Sequence, residues 1–137
     1  MERSLWVVTS LKKIILIIIL FSIFTSPSWS EWVLVDDSEI GKKYIDFGNI
    51  IKDGNISTFY ELSIFNNPTT SGELSIKSNL DLIEVNCASM TLTFLVRKYF
   101  GDDKGDKYLG EREINSSMNL KPNTGGWDIT KKVCNYN

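Results

Sequence analysis

The sequence predicts a small α+β domain, an antiparallel β-sheet with a short helical segment near its C-terminus. Three observations point there. Residues suited to one sheet face recur at a spacing of two, as in Ile56, Thr58, Tyr60, Leu62 and Ile64. Turn-forming clusters separate such stretches, as in Asp53-Gly54-Asn55 and Asn66-Asn67-Pro68. Near the end, Trp127 to Val133 carries Asp128 early and Lys131 and Lys132 late, the charge order a helix dipole favours.

The first thirty residues stand apart from this pattern. Arg3, Lys12 and Lys13 give a basic start, 14–24 is an apolar run, and Ser26, Ser28 and Ser30 supply small residues after it. Those are the three parts of a secretory signal, so residues 1–30 are expected to be a signal peptide cleaved before Glu31. The rival reading is a retained anchor. As a helix, however, the 11-residue run would span roughly 16 Å against a hydrocarbon core of about 30 Å. Once the signal is removed, no stable membrane span is expected.

Residues 31–137 then form one domain of 107 residues. Glu31 to Val35 and Lys43 to Asp46 read as short strands, with a turn over 36–41. Ile56 to Phe65 is the clearest strand, stopped by Asn66-Asn67-Pro68. Leu74 to Lys77 and Leu80 to Cys87 read as two more strands. Met90, Leu92, Phe94 and Val96 alternate with Thr91, Thr93, Leu95 and Arg97, again a strand pattern. The polar tip 101–106 and the restart at Tyr108-Leu109 suggest a long hairpin. Residues 115–126 read as loop, and one or two helical turns are expected over Trp127 to Val133.

Composition excludes several functions. The exported part holds 12 basic and 16 acidic residues, a net charge of −4, with no basic stripe for phosphates. Nucleic acid is therefore not an expected partner. The chain has no histidine, so no Ser-His-Asp or Cys-His arrangement can form within it. Two cysteines without histidine also leave a zinc site half empty. In an exported protein such a pair is most simply a disulfide, Cys87–Cys134. Closing 47 residues would contribute roughly 4 kcal/mol in the chain-entropy model. Two free buried thiols are the competing reading.

Other motifs carry little chemistry. Asp102 and Glu113 have the first-to-last spacing of an EF-hand loop, but Lys104 and Lys107 stand where a ligand and a glycine are required. Asp81 with Glu84, and Asp36 with Asp37, are carboxylate pairs without a spacing that implies a cleft. No metal, cofactor or enzymatic activity is expected. Arg97-Lys98-Tyr99-Phe100, followed by Lys104 and Lys107, make a basic and aromatic hairpin. Its plain reading is strand-end charge beside core aromatics. Its functional reading is a contact surface for a partner, with Arg97, Lys98, Tyr99, Lys104 and Lys107 as candidates. Trp32 and Trp127 are expected to be core or cap residues.

One resemblance draws these pieces together. Trp32, Tyr44-Ile45-Asp46, Ile51-Lys52-Asp53-Gly54, Phe59-Tyr60-Glu61-Leu62, Glu84-Val85-Asn86-Cys87, Tyr99, Trp127 and Val133-Cys134 occur in this order. The pattern resembles the surface-adhesin protein E family of bacterial exported proteins. The resemblance implies an antiparallel sheet, a C-terminal helical segment stapled to it by the cysteines, a Gram-negative source and homodimer formation. It also implies adhesion to host extracellular-matrix and serum proteins such as vitronectin and laminin. An envelope-binding or enzyme-inhibiting module of the periplasm is the alternative. Two features depart from the family pattern. The stretch from Trp127 to Cys134 is short, and no lipid-attachment cysteine follows the apolar run. A periplasmic location therefore stands beside the cell surface.

Overall fold

The computed structural model describes residues 31–137; the expected signal peptide, 1–30, lies outside the described residues. Seven strands form one antiparallel sheet: β1 (Trp32–Asp37), β2 (Gly41–Asp46), β3 (Ile51–Asp53), β4 (Ile56–Ser71), β5 (Leu74–Asn86), β6 (Thr91–Phe100) and β7 (Tyr108–Asn119). Helix α1 (Gly125–Asn135) follows. The sheet order is β1-β2-β4-β5-β6-β7, with β3 paired to the start of β4. Tight turns set this order. Gly54 (φ 57°) and Gly72 (φ 61°) each open a two-residue hairpin loop, where a positive φ suits the strand twist. At Gly41 a Cβ would run into the Ile64 carbonyl, so β2 and β4 can approach only with glycine there.

Cross-strand register sorts the side chains into two faces. One face carries Ile45, Phe59, Ile83, Val85 and Leu92, which pack into one buried cluster with Phe47 and with Val133 of α1. The other carries Leu34, Tyr44, Tyr60, Leu62, Leu80, Leu82 and Val96. Helix α1 covers the first face and leaves the second open. Cys134 of the helix is joined to Cys87 just beyond β5, with Cα atoms 5.7 Å apart, an ordinary disulfide span. Both cysteines pack against the buried cluster. The tail is held again where Lys52 Nζ donates to the carbonyls of Cys134, at 3.0 Å, and of Tyr136. Tyr136 also packs against Phe47, the two rings tilted with centroids 5.1 Å apart.

The structure bears out the α+β sheet with its stapled helix and corrects several details. Strand β4 does not stop at Asn66-Asn67-Pro68. Those residues form a bulge between the pairs Ile64↔Ser78 and Thr69↔Ile76, and the strand resumes beyond it. Proline has no ladder donor, and a bulge is where that costs least. Lys77 Nζ and the Ile40 carbonyl bond the Asn66 backbone and hold the kink. The two strands expected over 74–87 are one, β5.

Strand β7 continues to Asn119 where a loop was expected. Its polar residues are anchored across the ladder. Thr93 and Ser117 hydroxyls lie 2.8 Å apart, and Thr91 donates to Asn119 at 2.9 Å. The helix runs to eleven residues, about three turns. Gly125 and Gly126 are poor helix formers and hide its start, but Thr124 Oγ1 caps the Trp127 N–H at 3.3 Å. Trp32 is exposed at the edge strand, and Trp127 is half-buried in the first helical turn.

Candidate functional site

The five residues of the basic hairpin do not form one patch. Alternation along β6 turns Arg97 and Tyr99 to the helix side and Lys98 to the open side. Arg97 binds Asp81 through two contacts, Nε to Oδ1 at 2.6 Å and a terminal nitrogen to Oδ2 at 2.7 Å. Asp81 is only 1% exposed, so this fork gives a buried carboxylate the paired donors it needs. The same bond raises the Arg97 pKa further. Lys98 reaches Glu111 at 4.0 Å on the surface. Lys104 and Lys107 are exposed at the hairpin tip.

The tip itself is built by Asp102. Its carboxylate accepts from the backbone N–H groups of Asp106 (3.2 Å) and Lys107 (3.1 Å). Glu113 pairs with Val96 far down the hairpin, so the EF-hand spacing does not bring its ends together. Among the described residues no His, Cys, Asp and Glu group of three is placed to hold a metal. Asp81 and Glu84 project to opposite faces of β5, as do Asp36 and Asp37 on β1.

The open face is the larger feature. Tyr60, Leu80, Leu82 and Val96 form a shallow apolar hollow edged by Lys98 and Glu111. Tyr60 is 38% exposed, and Leu34, Trp32 and Tyr108 are also exposed. Phe100 and Tyr108 meet edge to face at 5.9 Å at the hairpin end. Period-two spacing flagged the β4 part of this face but gave no sign that it would lie uncovered.

The helix side contains a second polar feature. Glu61 stands between Phe59 and Ser63 on β4, opposite Asp81. Burial raises its pKa, and Lys43, at 3.4 Å, pulls it partly back. Nothing in the local sequence marked Glu61, because a lone glutamate within a strand usually faces solvent.

The sequence matches the model of the surface-adhesin protein E family over residues 32–135. The chain belongs to that family. No match to a curated protein was found. Among solved structures, protein E of Haemophilus influenzae in selenomethionine form is similar, with a TM-score of 0.61 and 19% identity over 78% of this chain and 88% of that one. Protein E from non-typeable Haemophilus influenzae gives a TM-score of 0.55 and 17% identity over 74% of each chain. These likenesses show a shared fold. The family is an adhesin family, and no helix among the described residues is long and apolar enough to cross a membrane.

Proposed function

We propose that this protein is a non-catalytic, exported adhesin that grips a host extracellular-matrix or serum protein with the open face of its sheet. The observation that carries the reading is that face itself: aromatic and aliphatic side chains at the surface of a chain from a surface-adhesin family. Exposed apolar areas with a polar rim mark protein contact sites, and tyrosine is a favoured anchor. The Lys98–Glu111 pair supplies part of that rim. Lys104 and Lys107 alternate with Asp102, Asp103 and Asp106 at the hairpin end of the same sheet, a tip of mixed charge. Arg97 serves the fold through Asp81, and its role in contact is indirect.

The alternative is a periplasmic module that binds an envelope component or inhibits an enzyme. The test uses the protein purified from an exporting host, with its disulfide intact. It is offered immobilised matrix glycoproteins, serum proteins and envelope extract side by side. Retention on a matrix or serum protein that falls in a Tyr60→Ser, Leu82→Ser variant supports the proposal. Retention by envelope extract alone supports the periplasmic module. Equal binding by parent and variant removes the open face.

A further inference from the structure

A cleft of about 240 Å³ lies on the helix side, between the first turn of α1 and the sheet. Phe59, Ile83, Leu92, Phe94, Leu120 and Ile129 make its apolar wall. Gly125 and Gly126 also line it, so the helix presents bare backbone at the mouth. Charge is confined to Asp36, Lys43 and Glu61.

Glu61 is only 8% exposed, and it is ion-paired with Lys43, whose side chain is itself 46% exposed. Asp36 lies opposite Lys43 in the β1–β2 register and also lines the cleft. Arg97 is committed to Asp81 by both of its contacts. The cleft lining thus carries two carboxylates, Asp36 and Glu61, and one ammonium, Lys43, beside an apolar wall.

We propose that this cleft binds a small amphipathic amine, with its ammonium group against Glu61 and Asp36 and its apolar stem along Phe59, Leu92 and Ile129. A monocation adds a second positive charge to a lining with two carboxylates and one ammonium, and the low-dielectric wall strengthens that pairing. The volume lies just under the roughly 300–1,000 Å³ of drug-sized pockets, so the ligand is fragment-sized. This site and the adhesive face lie on opposite sides of the sheet, and either can fail without the other.

The test is a titration of the disulfide-bonded protein with n-hexylamine, hexanoate and n-hexanol near neutral pH. Methyl resonances of Leu92, Leu120 and Ile129 are followed by NMR. Hexylammonium is expected to shift all three to saturation, with hexanoate at least about tenfold weaker. Glu61→Gln should weaken hexylammonium by about tenfold and leave hexanol unchanged. Gly126→Leu fills the mouth from a position where a Cβ meets only Leu120, at 3.5 Å. It also replaces a poor helix former, so melting should hold or rise while hexylammonium binding is lost. Absent shifts, equal affinity for hexanoate, or unchanged binding in either variant would overturn the proposal.

Discussion

Both faces of the sheet carry apolar side chains, yet one is sealed by a helix and the other faces solvent. The sealed face mixes Phe59, Ile83 and Val85 with the buried Asp81–Arg97 pair and Glu61. The open face, through Tyr60, Leu62, Leu80, Leu82 and Val96, reads as the cleaner hydrophobic stripe. Pattern alone would seal the wrong side. A period of two shows that the faces differ; what decides which is covered is where the chain's end is tied. Here Cys134 is fastened to Cys87, and α1 therefore lies over Val85 and Phe59. The comparison yields predictions that weaken the sealed face by different amounts and then turn to the open one.

The largest effect is expected from cutting the tie. Cys134→Ser should lower stability by about 4 kcal/mol under oxidising conditions, since the bridge closes a long loop and seats the helix. For a domain of this size that is a fall in Tm of roughly 15 °C or more. Thermal unfolding followed by circular dichroism checks it, and equal melting of variant and parent would show that α1 holds its place without the bond.

Next is the ion pair. Asp81→Asn leaves Arg97 partly buried against a neutral partner and should cost about 2 kcal/mol, less than a fully buried pair because the guanidinium is one-third exposed. Replacing both, as Asp81→Leu with Arg97→Met, should recover most of that loss, since an apolar pair needs no compensation. Urea unfolding of the two variants decides between a pair that stabilises and one that merely tolerates burial. No recovery in the double variant would mean that the fork is needed for packing around β5 and β6.

Much of this architecture was legible in the residues. The longer strands, the hairpin tip, the bridge and the C-terminal helix left local signals: alternation, turn residues, an even cysteine pair and a dipole-ordered charge pattern; the three-residue β3 was too short to show one. What was missed depended on partners distant in sequence. Pro68 reads as a stop, because only the pairing beyond it shows that the ladder resumes. Asn115 to Asn119 reads as loop because its strand character comes from Thr91 and Thr93 across the ladder. The basic hairpin was visible as a run of residues. Its division between two faces and a tip follows from register, which also commits Arg97 to Asp81.

A smaller effect is expected from Glu61, and its sign is set by burial. Burial holds the folded-state pKa above the ordinary glutamate value of about 4.5, so from about that pH upward the native state keeps a proton that the unfolded chain has released. Unfolding then frees a proton, and stability falls as pH rises through this window until the native carboxyl also ionises. Glu61→Gln should remove that downward slope. The stability difference between variant and parent should therefore grow in the variant's favour from about pH 4.5 upward and then level off. Denaturant midpoints measured across the range check it, and parallel curves would place the Glu61 carboxyl in contact with water.

The smallest change in stability is expected on the open face, where the effect on binding should be largest. Tyr60 is 38% exposed and belongs to no covered cluster, so Tyr60→Ser should cost within about 1 kcal/mol. If that face is the adhesive surface, the same substitution removes an aromatic anchor from its centre and should weaken partner binding by about thirtyfold, the loss typical of a hot-spot residue. A serine in place of the more exposed Tyr108, at the hairpin end, should cost less in binding because it sits at the rim. Surface plasmon resonance against the captured partner, paired with melting curves, separates the two quantities. A variant that melts early and binds normally would assign Tyr60 to the fold; one that melts normally and fails to bind would show why this apolar face is left uncovered.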